Sequence, residues 1–376
     1  MIYYLGYYNC EEIEEEKRNA APPAVNKMGY IISVLSETDG RETVVVSPAE
    51  TRKNTLVKGR FRKLYDSVSL KTFPSVSSRF LPIRYLGHLL TRVSLNRYLL
   101  KNVRREDTVI VYHSLSLMKT VKRLKKKTKC RLIIEAEEIY SDVKENEKLR
   151  AKELEYFQTA DKFIAITKLL NDEINKSGKP FLISHGTYKV RPKYSEKFSD
   201  GKTHVVYAGS FNPVKGGALT AISAAEFLPR GYILHVLGKG SPETTKVVKD
   251  AVAAMSAKTE CEVVFEGFKS GVEFDSFIQS CHVGLSTQQP DGKYNASSFP
   301  SKVLMYMSNG LPVVSVRIPA IATSAVNDCI SYYDDVSPAC IAQAIQNAAS
   351  VNCTKTKELL NFLDKEFSEG LASLLE

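Results

Sequence analysis

HVVYAGSFNPVKGG, residues 204–217, decides the fold of this 376-residue chain. An apolar run enters Gly209, turns, and delivers Lys215 beside the pair Gly216 and Gly217 at the start of a helix. A buried run that ends in glycine and feeds a helix is one βα unit of a parallel sheet. The same rhythm continues through YILHVLG (232–238), EVVFEG (262–267), HVGLST (282–287) and PVVSV (312–316), and an amphipathic helix over about 356–375 closes the chain. Toward the N-terminus the units are IYYL (2–5), a polar loop with Pro22 and Pro23, a helix over 24–38, TVVVS (43–47), DTVIVYHS (107–114), a basic helix over 117–127, RLIIEAEE (131–138), a helix near 144–159, KFIAIT (162–167) and PFLISHG (180–186). RPKYSEKFSDGKT (191–203) is polar and aperiodic and reads as a linker. The expected fold is α/β, with two Rossmann-like doubly wound domains facing across a cleft.

Composition narrows the classes. The hydrophobic fraction of 43% and charged fraction of 25% are those of a globular protein, not a disordered or fibrous one. No run approaches the ~18 apolar residues of a membrane span, and an acidic block, EEIEEE (11–16), stands where a signal peptide would continue its apolar core. Seven scattered cysteines with no C-x-x-C give neither a disulfide framework nor a zinc site. A cytoplasmic, reduced setting is expected, with no metal and no cofactor. Charge is uneven: residues 52–129 carry 21 Lys and Arg against Asp66, Glu106 and Asp107, a local +18 in a chain of net +10. An excess of that size implies an anionic partner.

Ligands of open parallel sheets bind beyond the carboxyl ends of the strands. In the first half those ends carry Gly6, His113, Glu135, Glu137, Glu138 and His185. In the second, Gly209, Ser210, Lys215 and Gly216 form a turn suited to a diphosphate, because glycine admits the ligand to the backbone and a helix start adds positive potential. It is neither G-x-G-x-x-G nor a Walker sequence. Gly238, Lys239, Gly267 and Phe268 end the next strands and would seat a flat nucleoside. In YNASSFPSKVLMYMSNGLPVVS (294–315), Ser297 or Ser298 can cap a helix, with the amides of Ser298 and Phe299 and the side chain of Lys302 as a second anion site. Val303, Leu304, Met307 and Leu311 read as its core face.

Together these segments resemble a GT-B glycosyltransferase, similar to the family 4 type. Residues 209–216 loosely match G-[RS]-x-x-x-x-K-G; residues 236–240 match V-x-G-x-G; Pro300, Lys302, Tyr306, Gly310, Pro312, Val313 and Val314 match P-x-K-x-x-x-Y-x-x-x-G-x-P-V-V; and ISHG (183–186) resembles the IPNG-like segment. Ser210 stands where the family usually has arginine, and Ser297 and Met305 where it has paired glutamates, as in a divergent bacterial surface-polysaccharide subset. The resemblance implies an acceptor-binding domain over 1–195, a nucleotide-sugar domain over 196–353, and a terminal helix, 354–376, crossing back to the first. It implies metal-independent transfer of a sugar from a nucleotide-diphosphate donor, with UDP-sugar expected, to a saccharide or lipid-linked saccharide in surface polysaccharide or glycoconjugate synthesis. Lys215 would be catalytic. If the enzyme inverts, Glu137 or Glu138, near the family's active-site histidine, takes the acceptor proton; if it retains, these carboxylates orient a substrate. FLPIRYLGHLLTRVSLNRYLLK (80–101) and KRLKKKTKCR (122–131) look like a surface for anionic lipid, placing the enzyme peripherally on the inner face of the plasma membrane. No nucleic acid is expected. The alternatives are a nucleotide-sugar 2-epimerase of the same fold, or a non-catalytic homologue that binds anionic lipid or nucleic acid.

Overall fold

The structure is a computed structural model describing residues 1–38, 40–213, 216–288, 295, 297–350 and 354–376. The chain divides into two compact units, Met1–Thr187 with Glu366–Glu376, and Tyr188–Lys365. The first unit is built on strands β1 (Ile2–Leu5), β2 (Thr43–Ser47), β3 (Phe61–Tyr65), β4 (Val68–Thr72), β5 (Thr108–Tyr112), β6 (Arg131–Ala136), β7 (Lys162–Ala165) and β8 (Phe181–Ile183). They form one sheet in the order β3-β4-β2-β1-β5-β6-β7-β8, parallel except for the edge pair β3/β4. Helices α1 (Pro22–Thr38), α2 (Leu81–Asn102), α3 (Met118–Thr128), α4 (Tyr140–Val143), α5 (Glu147–Phe157) and α6 (Lys168–Ile174) lie between them. Every residue of β1, β2 and β5 is buried, as expected of parallel strands covered on both faces.

Among its described residues the second unit has six strands, β9 (Thr203–Ser210), β10 (Tyr232–Lys239), β11 (Glu262–Gly267), β12 (Val283–Ser286), β13 (Val313–Val316) and β14 (Ile330–Tyr333), in the order β11-β10-β9-β12-β13-β14, all parallel. Its helices are α7 (Gly217–Ser223), α8 (Pro242–Lys258), α9 (Gly271–Ser280), α10 (Ser301–Ser308), α11 (Pro319–Ala322) and α12 (Pro338–Ala348). The last helix, α13 (Thr354–Leu375), ends in the first unit. There Phe367 stacks on Tyr30 with ring centroids 5.3 Å apart. Leu182 lies so close to Gly370 that a Cβ would sit 2.6 Å from it.

Several elements depart from the sequence reading. Helix α1 begins at Pro22, so both prolines lie inside it, where the missing N–H costs nothing in the first turn. The helix near 144–159 is two pieces, α4 and α5, interrupted at Glu145, whose φ is 50°. The expected linker is a strap on the second unit. Tyr194 N–H donates to the Gln279 side chain at 2.7 Å, Phe198 N–H donates to Ser280 C=O at 2.9 Å, and the Phe198 ring stacks on His204.

Candidate active site

The order of the second sheet reverses between β9 and β12, since β10 and β11 lie to one side and β13 and β14 to the other. The crevice at such a switch point is where doubly wound sheets bind ligands. Here β9 and β12 pair only through Val205 with Val283 and Val206 with Gly284, then part. Tyr306 of α10 fills the gap. Its ring packs on Gly284, where an added Cβ would lie 2.3 Å from it. Its buried hydroxyl accepts from Ala208 N–H at 2.7 Å and donates to Leu285 C=O at 3.3 Å. One phenol thus satisfies a donor on one strand and an acceptor on the other. Replacing Tyr306 by Phe should strand both, at ~1–3 kcal/mol for each buried group. Denaturant unfolding should register the loss; unchanged stability would mean that the strands close without the hydroxyl.

One turn earlier on α10, Lys302 lies over the Tyr207 ring, with Nζ 4.3 Å from its centroid and 3.3 Å from its hydroxyl. Gly209 is beside it, and a Cβ there would be 3.1 Å from Lys302 Cε. The glycine thus leaves room for a cation at the end of β9. Gly238, next to last in β10, has φ 151°, and a Cβ on it would fall 1.8 Å from Gly209 C=O, so only glycine allows the two strand ends this approach. Lys239 Nζ stands 4.0 Å from the centroid of the exposed Phe268 ring, and Gly267, at φ 70°, turns the chain into that ring. The expected nucleoside residues are therefore brought together as a glycine floor with an aromatic side. Ser210 is the exposed last residue of β9, and Gly216, at φ 61°, is the N-cap residue of α7. Lys215 lies outside the described residues.

The expected cap is not found. Helix α10 starts at Ser301 with Pro300 as its N-cap residue, and neither Ser297 nor Ser298 caps it. A proline keeps the residue before it out of the helical region, so Phe299 cannot begin the helix. Phe299 is buried and Ser298 half-buried. Behind the sheet, His235 shares hydrogen bonds with His204 at 2.8 Å and with Glu266 at 2.9 Å, which commits the Glu266 carboxylate before the strand reaches Gly267.

In the first unit the order reverses between β1 and β5. The residues expected on that rim are largely inside. Gly6 is buried against Met28 and Tyr112, and no side chain would fit. Glu135 belongs to β6 itself and is fully buried, accepting a hydrogen bond from Tyr4 O–H. Burial, then the neighbouring Glu137, push the Glu135 carboxyl up to about 8, with Lys27 opposing. His113 is buried against Tyr156 and Phe157 and shares a 2.6 Å hydrogen bond with Glu153. Against the burial that would raise it, the hydrogen bonds from His113 and Ser141 hold Glu153 below the usual carboxylate range. His185 is buried, with Nδ1 2.7 Å from Ile166 C=O, and burial lowers its imidazole to about 4. These four are buried, whereas Glu137 and Glu138 are half-buried.

The group that sequence reading missed is Lys27. Its buried Nζ donates to Ser184 C=O at 2.6 Å and Ser184 Oγ at 2.7 Å, and lies 3.9 Å from Glu137 Oε1. It shares a helix face with Ile31, four residues on, and a lysine inside an apolar stripe signals a buried anion. Burial raises Glu137 and Lys27 lowers it. Among the described residues no group of three or more His, Cys, Asp or Glu could hold a metal ion.

Residues 202–350 match the family model for group 1 glycosyl transferases. Solved structures share the fold over the whole chain. The α,α-trehalose-6-phosphate synthase of Burkholderia multivorans has TM-score 0.66 and 12% identity, covering 99% of this chain and 96% of its own. The Escherichia coli enzyme bound with UDP-2-fluoro glucose has TM-score 0.66 and 12% identity, covering 100% and 97%. The Burkholderia xenovorans enzyme in complex with glucose-6-phosphate has TM-score 0.65 and 10% identity, covering 99% and 97%. Compared by sequence with curated proteins, the chain finds no match.

Proposed function

We propose that this chain, whose residues 202–350 match the family model for group 1 glycosyl transferases, is a glycosyltransferase of the GT-B type that moves a sugar from a UDP-sugar to a saccharide or lipid-linked saccharide. The observation that carries the reading is Lys302, held by α10 against Tyr207 and Gly209 at the switch point of the second sheet. The second unit binds the donor. Its nucleoside lies on Gly238, Lys239, Gly267 and Phe268, and its diphosphate meets Lys302, Lys215 and the backbone at Gly209, Ser210, Gly216, Ser298 and Phe299. The first unit binds the acceptor beside Glu137 and Glu138. As the bond from the anomeric carbon to the diphosphate oxygen breaks, negative charge grows on the leaving group, and fixed cations stabilise it there. A bond to the acceptor oxygen forms; with inversion Glu137 or Glu138 takes its proton, and with retention these carboxylates orient a substrate. Lysines and backbone amides do this work without a metal or cofactor. That the E. coli neighbour was solved with UDP-2-fluoro glucose supports the choice of UDP. The role is in surface polysaccharide or glycoconjugate synthesis, on the cytoplasmic face of a membrane, with the basic region 52–129 toward anionic lipid.

A thermal-shift series with UDP-, GDP-, TDP- and CMP-sugars tests the donor site. UDP-sugars should raise the midpoint by several degrees at concentrations far above Kd, by mass action. Release of UDP should then require an added saccharide. Stabilisation by none of the four would defeat the reading, and turnover of a UDP-sugar alone would favour the epimerase.

A further inference from the structure

Helix α2 is fastened along one narrow stripe, Gly87, Thr91, Leu95 and Leu99, which are its buried residues. Gly87 lies so close to the chain that a Cβ would be 2.4 Å from Val76 C=O, and Thr91 Oγ1 donates to Pro74 C=O at 2.8 Å. The opposite stripe, Leu86, Leu89, Leu90 and Val93, is exposed. So are the large side chains at the start of the helix, with Phe80 at 72% and Tyr85 at 69%. Exposed apolar area of this continuity marks an interaction surface. Its surroundings choose the partner. Residues 67–105 contain no acid and eight Lys and Arg, of which Arg84 stands three residues after the exposed Leu81 and Arg92 three residues after Leu89. A second copy would set these cations against their equals, at a cost that opposes pairing. An anionic bilayer accepts both features, with apolar residues at the acyl boundary and guanidinium groups among the phosphates. Among the described residues no helix is long and apolar enough to cross a membrane.

We infer that Phe80 and the first half of α2 after it, as far as Val93, form an interfacial anchor that inserts its leucine stripe into an anionic membrane. This deepens the proposed function and rests on the reading that the acceptor is presented at a membrane; the insertion itself goes beyond electrostatic attraction of the basic region.

The chain has no tryptophan, so Leu86→Trp gives a single reporter. Its emission should shift to the blue with vesicles of phosphatidylcholine containing phosphatidylglycerol, and not with phosphatidylcholine alone. The exposed Val247, on α8, should show no shift as Val247→Trp. In co-sedimentation, Leu86→Glu with Leu89→Glu should weaken binding to the anionic vesicles by on the order of tenfold or more. Binding without a blue shift at position 86 would overturn insertion, and so would a wild-type dimer that Leu86→Glu dissociates, or equal retention on RNA. Sugar transfer to a soluble acceptor separates the two proposals. Transfer without vesicle binding removes the anchor and leaves the enzyme; insertion without transfer does the reverse.

Discussion

Lys302→Met should lower kcat by ~10²–10³, or about 2.7–4 kcal/mol of transition-state stabilisation, the usual effect of removing one fixed group that meets developing charge. Methionine keeps most of the aliphatic stem that packs on Tyr207 and beside Gly209, so the variant removes charge while sparing contact. Because the charge on the leaving diphosphate grows along the reaction, kcat should fall by more than the donor KM rises. Lys302→Arg should recover part of the loss, since it restores the cation with a different shape. Thermal unfolding of Lys302→Met without ligand should stay close to wild type. If kcat changes less than about threefold, well under the effect expected of such a group, the lysine only covers the Tyr207 ring. The diphosphate must then be held elsewhere, and the proposed donor site is lost.

The parts of the molecule legible in the sequence are those where local chemistry and tertiary position agree. Strands β9, β10 and β11 run into glycines, and Gly209 and Gly238 do approach each other at the strand ends. The hairpin β3/β4 escaped notice because an edge pair is exposed on alternate residues, and its Arg and Lys hide the apolar alternation. Helix α2 reverses the usual inference: its buried stripe begins with Gly87 and Thr91 while leucines face outward, so a rule that places leucine inside assigns the wrong face. In the first unit the position of Glu135 near a strand end suggested a rim residue. A parallel strand covered on both faces instead carries its carboxylate inside, where only a buried partner makes it tolerable. The partners, Tyr4 and Lys27, come from elements distant in sequence, and no local pattern announces them together.

Lys27→Met should move the acid limb of the kcat/KM profile to higher pH by about 1–2 units, the effect of removing one opposite charge near a carboxylate. Burial already raises Glu137, and Lys27 is the group that counters it. Without that ammonium the carboxyl holds its proton longer, so a base at this position becomes active only in more alkaline solution. The same change acts on stability through Glu135. Its folded value, about 8, lies above the ordinary 4.5, so the neutral form is favoured on folding. That contribution is complete below about 4.5 and is lost as pH rises through about 8, where the folded chain must carry a buried anion. With Lys27 gone the anion has no counter-charge, so the gap in unfolding free energy between wild type and variant should widen as pH passes about 8. The double variant Lys27→Met with Glu135→Gln should narrow it again, because the amide keeps an acceptor for Tyr4 and cannot ionise. A limb that stays in place while this stability pattern appears would assign Lys27 to the core alone and remove Glu137 as the base. A constant gap across pH would deny the electrostatic coupling itself.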